Sequence, residues 1–360
     1  MILKINWKHK ERYIKFSGLF VVSVLFMWSW MAFSTNNADY YYYQNMFTRI
    51  QHGVTYYAVE SGFYYLCKLA VSIGLEYETF LVIYSGVAFL LISNSLLKYT
   101  KKPVFVLFLY FCYPYILDIA QIRHFMACAI FLYAIRYLEE FSIKNLIKYI
   151  ACVLIATSQQ LIAFAFFIFL LVYVKDSRKI IKIALLAMTF LFVGNRLLLN
   201  TSIYRSILGL RDAEIAYAGG LSISHFIQYG AFFTFLLCFS FYIYRKKLNP
   251  NNMLFKICML SAIYIPLMLI DFQFTRFFRS SLFVIYVYII EGLDGLKNKN
   301  NQVVLEIALS VCLLGVGIVL FGFGSGYFES MTVPIFTENS FWNQIFKLFS
   351  FLKLPKRERG

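Results

Sequence analysis

Residues able to do chemistry stand in short polar stretches between the long apolar runs of this sequence. Two acids, Asp39 and Glu60, bracket a tyrosine-rich stretch, and Arg123 follows at the junction of two apolar runs. Arg276 and Arg279 occupy a third polar stretch. A carboxylate can accept a proton, and the planar guanidinium of arginine binds phosphate through paired N–H donors. Together these residue types predict acid–base chemistry beside a phosphate-like anion.

The first stretch, residues 34–61, is polar and rich in tyrosine, and its Asp39 and Tyr43 are four positions apart. If this stretch is helical, the two side chains share one face. Tyrosine rings stack on the C–H faces of sugars, so tyrosines flanked by acids suit a carbohydrate groove. Tyrosine is also common where helices meet a membrane surface, and the sequence leaves both interpretations open.

The other two stretches carry the basic residues. A charge at the end of an apolar run is costly unless it is paired or functional. Either Asp118 and Arg123 neutralise each other, or Arg123 faces an anionic ligand, with His124 as a further contact or a structural residue. Arg276 and Arg279 are three positions apart and share a helical face, which predicts a clamp for a diphosphate. The alternative is that both side chains reach for the membrane surface.

Several chemistries lack their sequence signatures. There is no P-loop, no G-x-G-x-x-G opening a helix after a strand, no H-E-x-x-H and no G-x-S-x-G. The chain has only four histidines, and none are spaced as a pair of metal ligands. We therefore predict that the protein uses no metal and no cofactor. Its substrate must already be activated when it arrives.

Composition decides which kind of fold positions these residues. Of 360 residues, 61% are hydrophobic and 14% are charged, and the mean hydropathy is +0.68. A soluble fold cannot cover so much apolar surface with so few charges, and long unbroken apolar runs do not suit a β-barrel. The net charge of +16 comes from basic clusters between apolar runs, so they predict orientation signals and lipid contact, and no nucleic-acid binding.

The predicted fold is therefore all-α, a single integral membrane domain over residues 1–360 that forms a polytopic transmembrane bundle. About 11 spans are expected because each needs roughly 20 mostly apolar residues. The run 62–75 is shorter and predicts a re-entrant or interfacial helix. The predicted spans are 14–33, 79–97, 103–120, 124–138, 146–158, 160–174, 180–194, 226–244, 254–270, 278–291 and 303–323.

The distribution of lysine and arginine predicts the orientation. With the N-terminus in the cytoplasm, most basic residues fall on the cytoplasmic side, and 34–61 and 195–224 become external loops. This result requires the run 146–174 to be two segments hinged at residues 158–160, since a single crossing would reverse the charge bias. The orientation of residues 324–360 is left open.

The motifs occur along the chain in an order that is similar to that of a known family. It runs from Asp39-x-x-x-Tyr43 through Glu60-Ser-Gly-Phe-Tyr-Tyr-Leu to Ile122-Arg123-His124, and ends with a late Arg276 that opens a helix. This arrangement resembles the EpsG family of bacterial membrane proteins, which are Wzy-like polysaccharide polymerases. The resemblance extends from about residue 14 to about residue 323, so it covers most of the chain.

The resemblance implies a GT-C-like helical architecture and a metal-independent glycosyltransferase. Its substrate is an oligosaccharide repeat unit on undecaprenyl diphosphate, which it polymerises into an O-antigen, capsule or exopolysaccharide at the outer face of the cytoplasmic membrane. Membrane lipid, a flippase and a chain-length regulator are the other implied partners. The catalytic candidates are Asp39, Glu60 and Arg123. The substrate-binding candidates are Tyr43, His124, Gln159, Gln160, Arg276 and Arg279.

Two positions depart from the family pattern. The family usually has glutamine after the arginine, where this chain has His124, and usually has a histidine where this chain has Gln159 and Gln160. Glutamine can still contact a substrate by hydrogen bonding. Two other functions stay open: a flippase or transporter of lipid-linked oligosaccharide, and a GT-C transferase that adds one sugar from a polyprenyl phosphate donor. A transporter normally shows internal repeats and mid-membrane charges, which we do not find in this sequence.

Overall fold

The structure, a computed structural model, describes most of the chain. Outside the described residues lie 199–222, which hold most of the predicted external loop 195–224, and 342–360, which hold most of the segment whose orientation the sequence leaves open. The described residues are 2–7, 10–15, 18–37, 39–54, 59–198, 223–269, 274–322 and 328–341.

Helices make up nearly all the regular structure of these residues. Short 3₁₀ helices cover Ile135–Leu138, Leu161–Tyr173 and Ala262–Leu269, and a π-helical turn covers Phe328–Thr332. The α-helices are α1 (Gly18–Ala32), α2 (Tyr40–Gln51), α3 (Ser61–Ser72), α4 (Tyr77–Tyr99), α5 (Pro103–Cys112), α6 (Tyr115–Ala120), α7 (Ile122–Ala134), α8 (Ile143–Gln159), α9 (Ser177–Leu198), α10 (Ile223–Arg245), α11 (Asn252–Ser261), α12 (Thr275–Arg279), α13 (Leu282–Asp294), α14 (Lys299–Gly322) and α15 (Val333–Thr337).

The N-terminal residues depart from the helical prediction. Strands β1 (Ile2–Trp7) and β2 (Lys10–Lys15) pair antiparallel, with Ile2 opposite Lys15 and Trp7 opposite Lys10. The first span is predicted to begin at residue 14, whereas α1 begins at Gly18. Residues 2–7 alternate between apolar and polar at several positions, which is the period of a strand. Within the described residues, this hairpin is the exception to an otherwise helical chain.

Four helices in the described part of the chain are long and apolar enough to cross a membrane: Tyr77–Tyr99, Phe226–Arg245, Asn252–Leu269 and Lys299–Gly322. Shorter apolar helices include Gly18–Ala32 and Leu161–Tyr173. The prediction of a helical, multi-pass membrane protein is confirmed at this level. The number of about 11 spans and the GT-C-like architecture stay predictions.

The chain divides into two compact units. The first contains residues 1–93, 107–126 and 310–360, and the second contains residues 94–106 and 127–309. In the second unit, α13 is the buried centre: all its residues from Leu282 to Ile290 are buried, and α10 and α11 pack against it. A helix that is apolar on all sides lies either in a protein core or against lipid, and α13 lies in the core of this unit.

In the first unit, α2 and α3 are short helices that pack against each other. Each has 12 residues and is therefore about 18 Å long, well below the roughly 30 Å of a bilayer core. Both end at a glycine with positive φ, Gly53 (76°) and Gly74 (77°), a conformation that residues with a Cβ adopt at a cost. The predicted short helix at 62–75 thus corresponds to α3.

In the second unit, the chain reverses direction where the hinge is predicted. Helix α8 ends at Gln159, and Gln160 is extended, with φ −151° and ψ 117°. The 3₁₀ helix Leu161–Tyr173 then runs back along α8, and the Tyr149 hydroxyl donates to the Phe166 carbonyl at 2.8 Å. At about 1.5 Å per residue in α8 and about 2.0 Å in the 3₁₀ helix, arms of 17 and 13 residues reach similar lengths of about 26 Å.

The segment 328–341 packs on one end of α1 within the first unit. The Trp30 indole donates to the Ile335 carbonyl at 3.0 Å, and the Ser340 amide donates to the Phe33 carbonyl at 3.0 Å. The Asn36 amide donates to the Glu338 carboxylate at 2.6 Å. These contacts place the segment beside the start of the predicted external loop 34–61.

This packing predicts on which side of the membrane residue 337 lies. In a variant lacking the exposed native Cys238, Thr337→Cys should react in intact cells with a membrane-impermeant maleimide, as Gln51→Cys should. Lys101→Cys, in a predicted cytoplasmic turn, should react only after permeabilisation. Labelling of Gln51→Cys without Thr337→Cys would contradict the packing, whereas protection of both would contradict the predicted orientation.

Candidate active site

A cluster of buried aromatic rings joins α2, α3 and α4 of the first unit. Phe63 of α3 is at its centre, with ring centroids 5.6 Å from Tyr43 of α2 and 5.5 Å from Tyr84 of α4. Phe47 of α2 lies 5.8 Å from Phe80 of α4. All five side chains are less than a tenth exposed. The cluster fixes how the two short helices lie on α4.

Arg123 rests on the edge of this cluster. Its guanidinium carbon is 5.3 Å from the ring centroid of Tyr43 and 5.7 Å from that of Phe63, distances at which a cation is attracted to an aromatic face. Its Nε donates to the Tyr43 hydroxyl at 3.2 Å, and its Nη1 donates to a carboxylate oxygen of Glu60. The Arg123 side chain is 15% exposed, so its guanidinium is oriented by the protein yet reachable.

Glu60 is the residue that precedes α3. Its carbonyl accepts from the Tyr64 amide at 3.0 Å, and its negative charge lies at the N-terminus of the helix, where the helix dipole stabilises it. Its side chain is 18% exposed. The carboxylate partner that the structure shows for Arg123 is therefore Glu60, which is distant in sequence, and the contact of Arg123 with an anionic ligand stays a prediction.

Asp39 holds the corresponding position before α2. Its amide donates to the Asn37 side-chain oxygen at 3.2 Å, and its carbonyl accepts from the Tyr43 amide at 3.2 Å. The stretch after Asp39 is therefore helical, and Asp39 lies one turn before Tyr43 on α2, as the spacing predicts. Since Tyr43 contacts Arg123, the fold brings Asp39, Tyr43, Glu60 and Arg123 into one region of the first unit.

A second polar contact holds α2 on the start of α4. The Tyr40 hydroxyl donates to the Glu78 carboxylate at 2.8 Å, and the Gln44 amide donates to the same oxygen at 3.3 Å. Burial raises the pKa of Tyr40 above its ordinary value, and the hydrogen bond to Glu78 raises it further. Tyr40 therefore remains a protonated donor at neutral pH and serves as an anchor.

His124 faces away from the Arg123 contacts. Its side chain is 1% exposed, and its Nε2 lies 4.0 Å from a carboxylate oxygen of Asp118, whose side chain is also 1% exposed. The Tyr110 hydroxyl donates to the other carboxylate oxygen of Asp118. The role of His124 as a substrate ligand stays a prediction. In the structure its imidazole faces the carboxylate of Asp118.

The other predicted ligands lie in the second unit. Gln159 and Gln160 are 4% and 9% exposed and form the turn between α8 and the 3₁₀ helix Leu161–Tyr173. Arg276 is half-buried and Arg279 is 2% exposed, both on α12, which packs against that 3₁₀ helix. The spacing of the two arginines on a helix is as predicted, and their substrate roles stay predictions.

The EpsG family model matches residues 18–335 of the chain. This chain belongs to the EpsG family. No curated protein and no solved structure matches it. Membership supports a Wzy-like polysaccharide polymerase, a glycosyltransferase-like activity in a multi-pass membrane protein, and it confirms the resemblance seen in the sequence.

In this EpsG-family chain, the motif residues lie at or just before the first turns of helices. Asp39 and Glu60 are the residues immediately before α2 and α3, and Arg123 lies in the first turn of α7. Among the described residues, no group of three or more His, Cys, Asp or Glu side chains could hold a metal ion. The absence of a metal from the EpsG chemistry stays a prediction.

No separate role was predicted for two residues: Phe63, which belongs to the motif that begins at Glu60, and Tyr110. The Phe63 ring lies against the Arg123 guanidinium, and the Tyr110 hydroxyl donates to Asp118. Phe63 has a usable signal, because it follows Glu60 by three positions at the start of an apolar helix. Tyr110 has none, since it is one aromatic residue among many in an apolar run.

Proposed function

We propose that this EpsG-family protein polymerises oligosaccharide repeat units carried on undecaprenyl diphosphate, at the outer face of the bacterial cytoplasmic membrane. The observation that supports the proposal is the geometry of Arg123. Its part-exposed guanidinium donates to Tyr43 and Glu60 and lies over the ring of Phe63. An arginine kept in this geometry suits a diphosphate, because its planar donors match phosphate oxygens.

The proposed reaction is a glycosyl transfer between two lipid-linked chains. A hydroxyl of the acceptor sugar attacks the anomeric carbon of the donor, and a new C–O bond forms there. The bond between that carbon and the diphosphate oxygen breaks, and undecaprenyl diphosphate leaves with the electron pair. Asp39 accepts the hydroxyl proton. No nucleotide is consumed, since the diphosphate leaving group already activates the donor.

Arg123 stabilises the negative charge that develops on the departing diphosphate. A fixed donor is effective here because it needs little reorganisation during the reaction. Glu60 holds the guanidinium before substrate arrives, and its carboxylate is 18% exposed. We assign Glu60 to orientation of Arg123 and Asp39 to proton transfer, since Glu60 is already an acceptor for Arg123.

The tyrosines of α2 divide into two groups that support a sugar contact. Tyr40 and Tyr43 are 5% and 4% exposed and serve as anchors within the fold, whereas Tyr41 and Tyr42 are 55% and 40% exposed. The two outward rings provide amphipathic surface: Tyr42 packs on Tyr43, with ring centroids 5.5 Å apart, and Tyr41 packs on Tyr40 at 5.6 Å. We propose them as stacking surfaces for the saccharide, with apolar helix faces for the polyprenyl tail.

Gln159, Gln160, Arg276 and Arg279 belong to the proposal as substrate-binding candidates. The inner-membrane location, the cytoplasmic N-terminus, and a flippase and chain-length regulator as partners belong to the same proposal. The charge distribution supports the cytoplasmic N-terminus, and membership of the EpsG family supports the membrane and the partners.

Deletion of the gene separates the proposed polymerase from a flippase. Without a polymerase, single repeat units should persist on the lipid at the outer face, and gel analysis of surface polysaccharide should show loss of the long-chain ladder. Without a flippase, no repeat unit should reach the outer face. A shortened repeat unit lacking one sugar would indicate the single-sugar transferase instead. Complementation with the intact chain is the control.

A further inference from the structure

We infer that Tyr110, Asp118 and His124 form a latch that sets the position of Arg123, so that Asp118 is a positioning residue for the transfer reaction. The inference rests on the proposed function, because it assigns Arg123 the role of stabilising the leaving diphosphate. The Tyr110 hydroxyl donates to Asp118 and His124 faces Asp118, so the three residues act on the direction of α7, which carries Arg123.

The latch spans a break in the helical path. Helix α6 ends at Ala120 and α7 begins at Ile122, and Gln121 between them has φ −95° and ψ 59°. The Gln121 amide donates to the Leu117 carbonyl at 3.0 Å, and its carbonyl accepts from the Phe125 amide at 3.0 Å. One residue therefore caps both helices, and the direction in which α7 leaves it decides where the Arg123 side chain lies.

Side chains on each side of the break share one carboxylate. Asp118 belongs to α6 and accepts a hydrogen bond from the Tyr110 hydroxyl of α5. Its other oxygen faces Nε2 of His124, in the first turn of α7, at 4.0 Å. Because Asp118 touches α5 and approaches α7, it restrains the angle at the Gln121 break.

Burial makes this arrangement costly unless it has a purpose. Tyr110, Asp118 and His124 are each 1% exposed. A carboxylate in such surroundings is tolerated when hydrogen bonds or opposite charge compensate its lost hydration. An apolar residue at position 118 would close the same space without that cost. Asp118 and His124 are five positions and one position from Arg123 along α6 and α7, so a small change in helix direction here displaces the guanidinium directly.

A matched pair of tyrosine variants tests the latch. Tyr110 and Tyr115 are each 1% exposed, and each donates its hydroxyl within the first unit, Tyr110 to Asp118 and Tyr115 to the Met27 carbonyl. Tyr110→Phe and Tyr115→Phe therefore remove one buried hydrogen bond each, at a cost to stability of about 1 kcal/mol or more. Of the two, only Tyr110→Phe removes the hydrogen bond that Asp118 accepts from Tyr110.

The assay uses the full-length chain in nanodiscs, with the lipid-linked repeat unit extracted from the polymerase-deletion strain. Asp118→Ala should lower kcat by about a hundredfold with KM nearly unchanged, since misplacing a catalytic group by about 1 Å costs that much. Tyr110→Phe should lower kcat less, and Tyr115→Phe should keep it. Asp118→Asn, which still accepts from Tyr110, should restore most of the rate. The double variant Asp118→Ala/His124→Ala should lose no more than Asp118→Ala alone.

The outcomes separate the latch from the proposed function. Thermal unfolding of each variant measures the folded fraction, so a loss of kcat that follows loss of folded protein overturns the latch. Equal kcat losses in Tyr110→Phe and Tyr115→Phe overturn it as well. Full kcat in Asp118→Ala, together with an inactive Arg123→Ala, overturns the latch alone. An active Arg123→Ala removes Arg123 from its proposed role and overturns the latch with it, whereas failure of the unaltered chain to form polymer overturns the proposed function.

Discussion

Replacing Arg123 by alanine should abolish long-chain polymer and leave single repeat units on the carrier lipid. The side chain would no longer supply the donors that stabilise the leaving diphosphate, and loss of one such preorganised donor typically slows a reaction by about 10²–10³-fold. Arg123→Lys should be nearly as inactive, because an ammonium group cannot contact the Tyr43 hydroxyl and the Glu60 carboxylate through one planar fork. The measurement is the polysaccharide ladder together with the rate of the purified chain.

Arg136 provides a matched control for this substitution. Its guanidinium carbon lies 3.7 Å from the Tyr133 ring centroid, and its Nη2 donates to the Asn94 side chain at 2.6 Å. It thus resembles Arg123 in having an aromatic and a polar partner, but it lies on the predicted cytoplasmic side. Arg136→Ala should keep the ladder at equal protein level. A full ladder from Arg123→Ala, or its loss in both variants, would remove Arg123 from its proposed role.

The parts of the fold that the sequence could predict depend on local pattern and on charge. The spacing of Asp39 and Tyr43 predicts a shared face only if the stretch is helical, and α2 shows that it is. The hinge at residues 158–160 follows from the placement of lysines beyond it, and the extended Gln160 is where the chain turns. Both signals act over a few residues, so tertiary context did not override them.

Helix breaks inside apolar runs were harder to predict. The predicted span 103–120 consists of α5 and α6, which stop and start on either side of residues 113–114. Average hydropathy over such a run does not register a break, although Pro114 is a local signal for one. The predicted span 278–291 likewise includes the end of α12 and most of α13.

The partner of Arg123 required three-dimensional information. Asp118 is five positions away and Glu60 is 63 positions away, so proximity in sequence favours Asp118. The aromatic cluster around Phe63 instead brings the start of α3 to Arg123, and Asp118 is occupied by Tyr110. Packing among α2, α3 and α4 makes Glu60 the partner of Arg123. Periodicity along a single chain segment cannot predict such packing.

The two acids of the site should respond differently to removal of their charge. Asp39→Asn should lower the transfer rate by about 10²–10⁴-fold, the usual contribution of a general base, while leaving binding of the lipid-linked donor largely intact. Glu60→Gln should have a smaller effect of about tenfold or less, because glutamine still accepts a hydrogen bond from Arg123, although a weaker one than the carboxylate accepts. Both rates are measured with the purified chain and extracted lipid-linked repeat unit.

Glu76→Gln controls for the loss of one negative charge, since Glu76 is an exposed acid between α3 and α4. It should retain the parental rate. The assignment of the base depends on the relative rates of the two variants: Asp39→Asn must transfer more slowly than Glu60→Gln. If Glu60→Gln were the slower variant, the proton would go to Glu60, and the Arg123–Glu60 pair would have to separate in each catalytic cycle. If both variants kept full rate, neither acid would take the proton, because the hydroxyl would not need a carboxylate base to react.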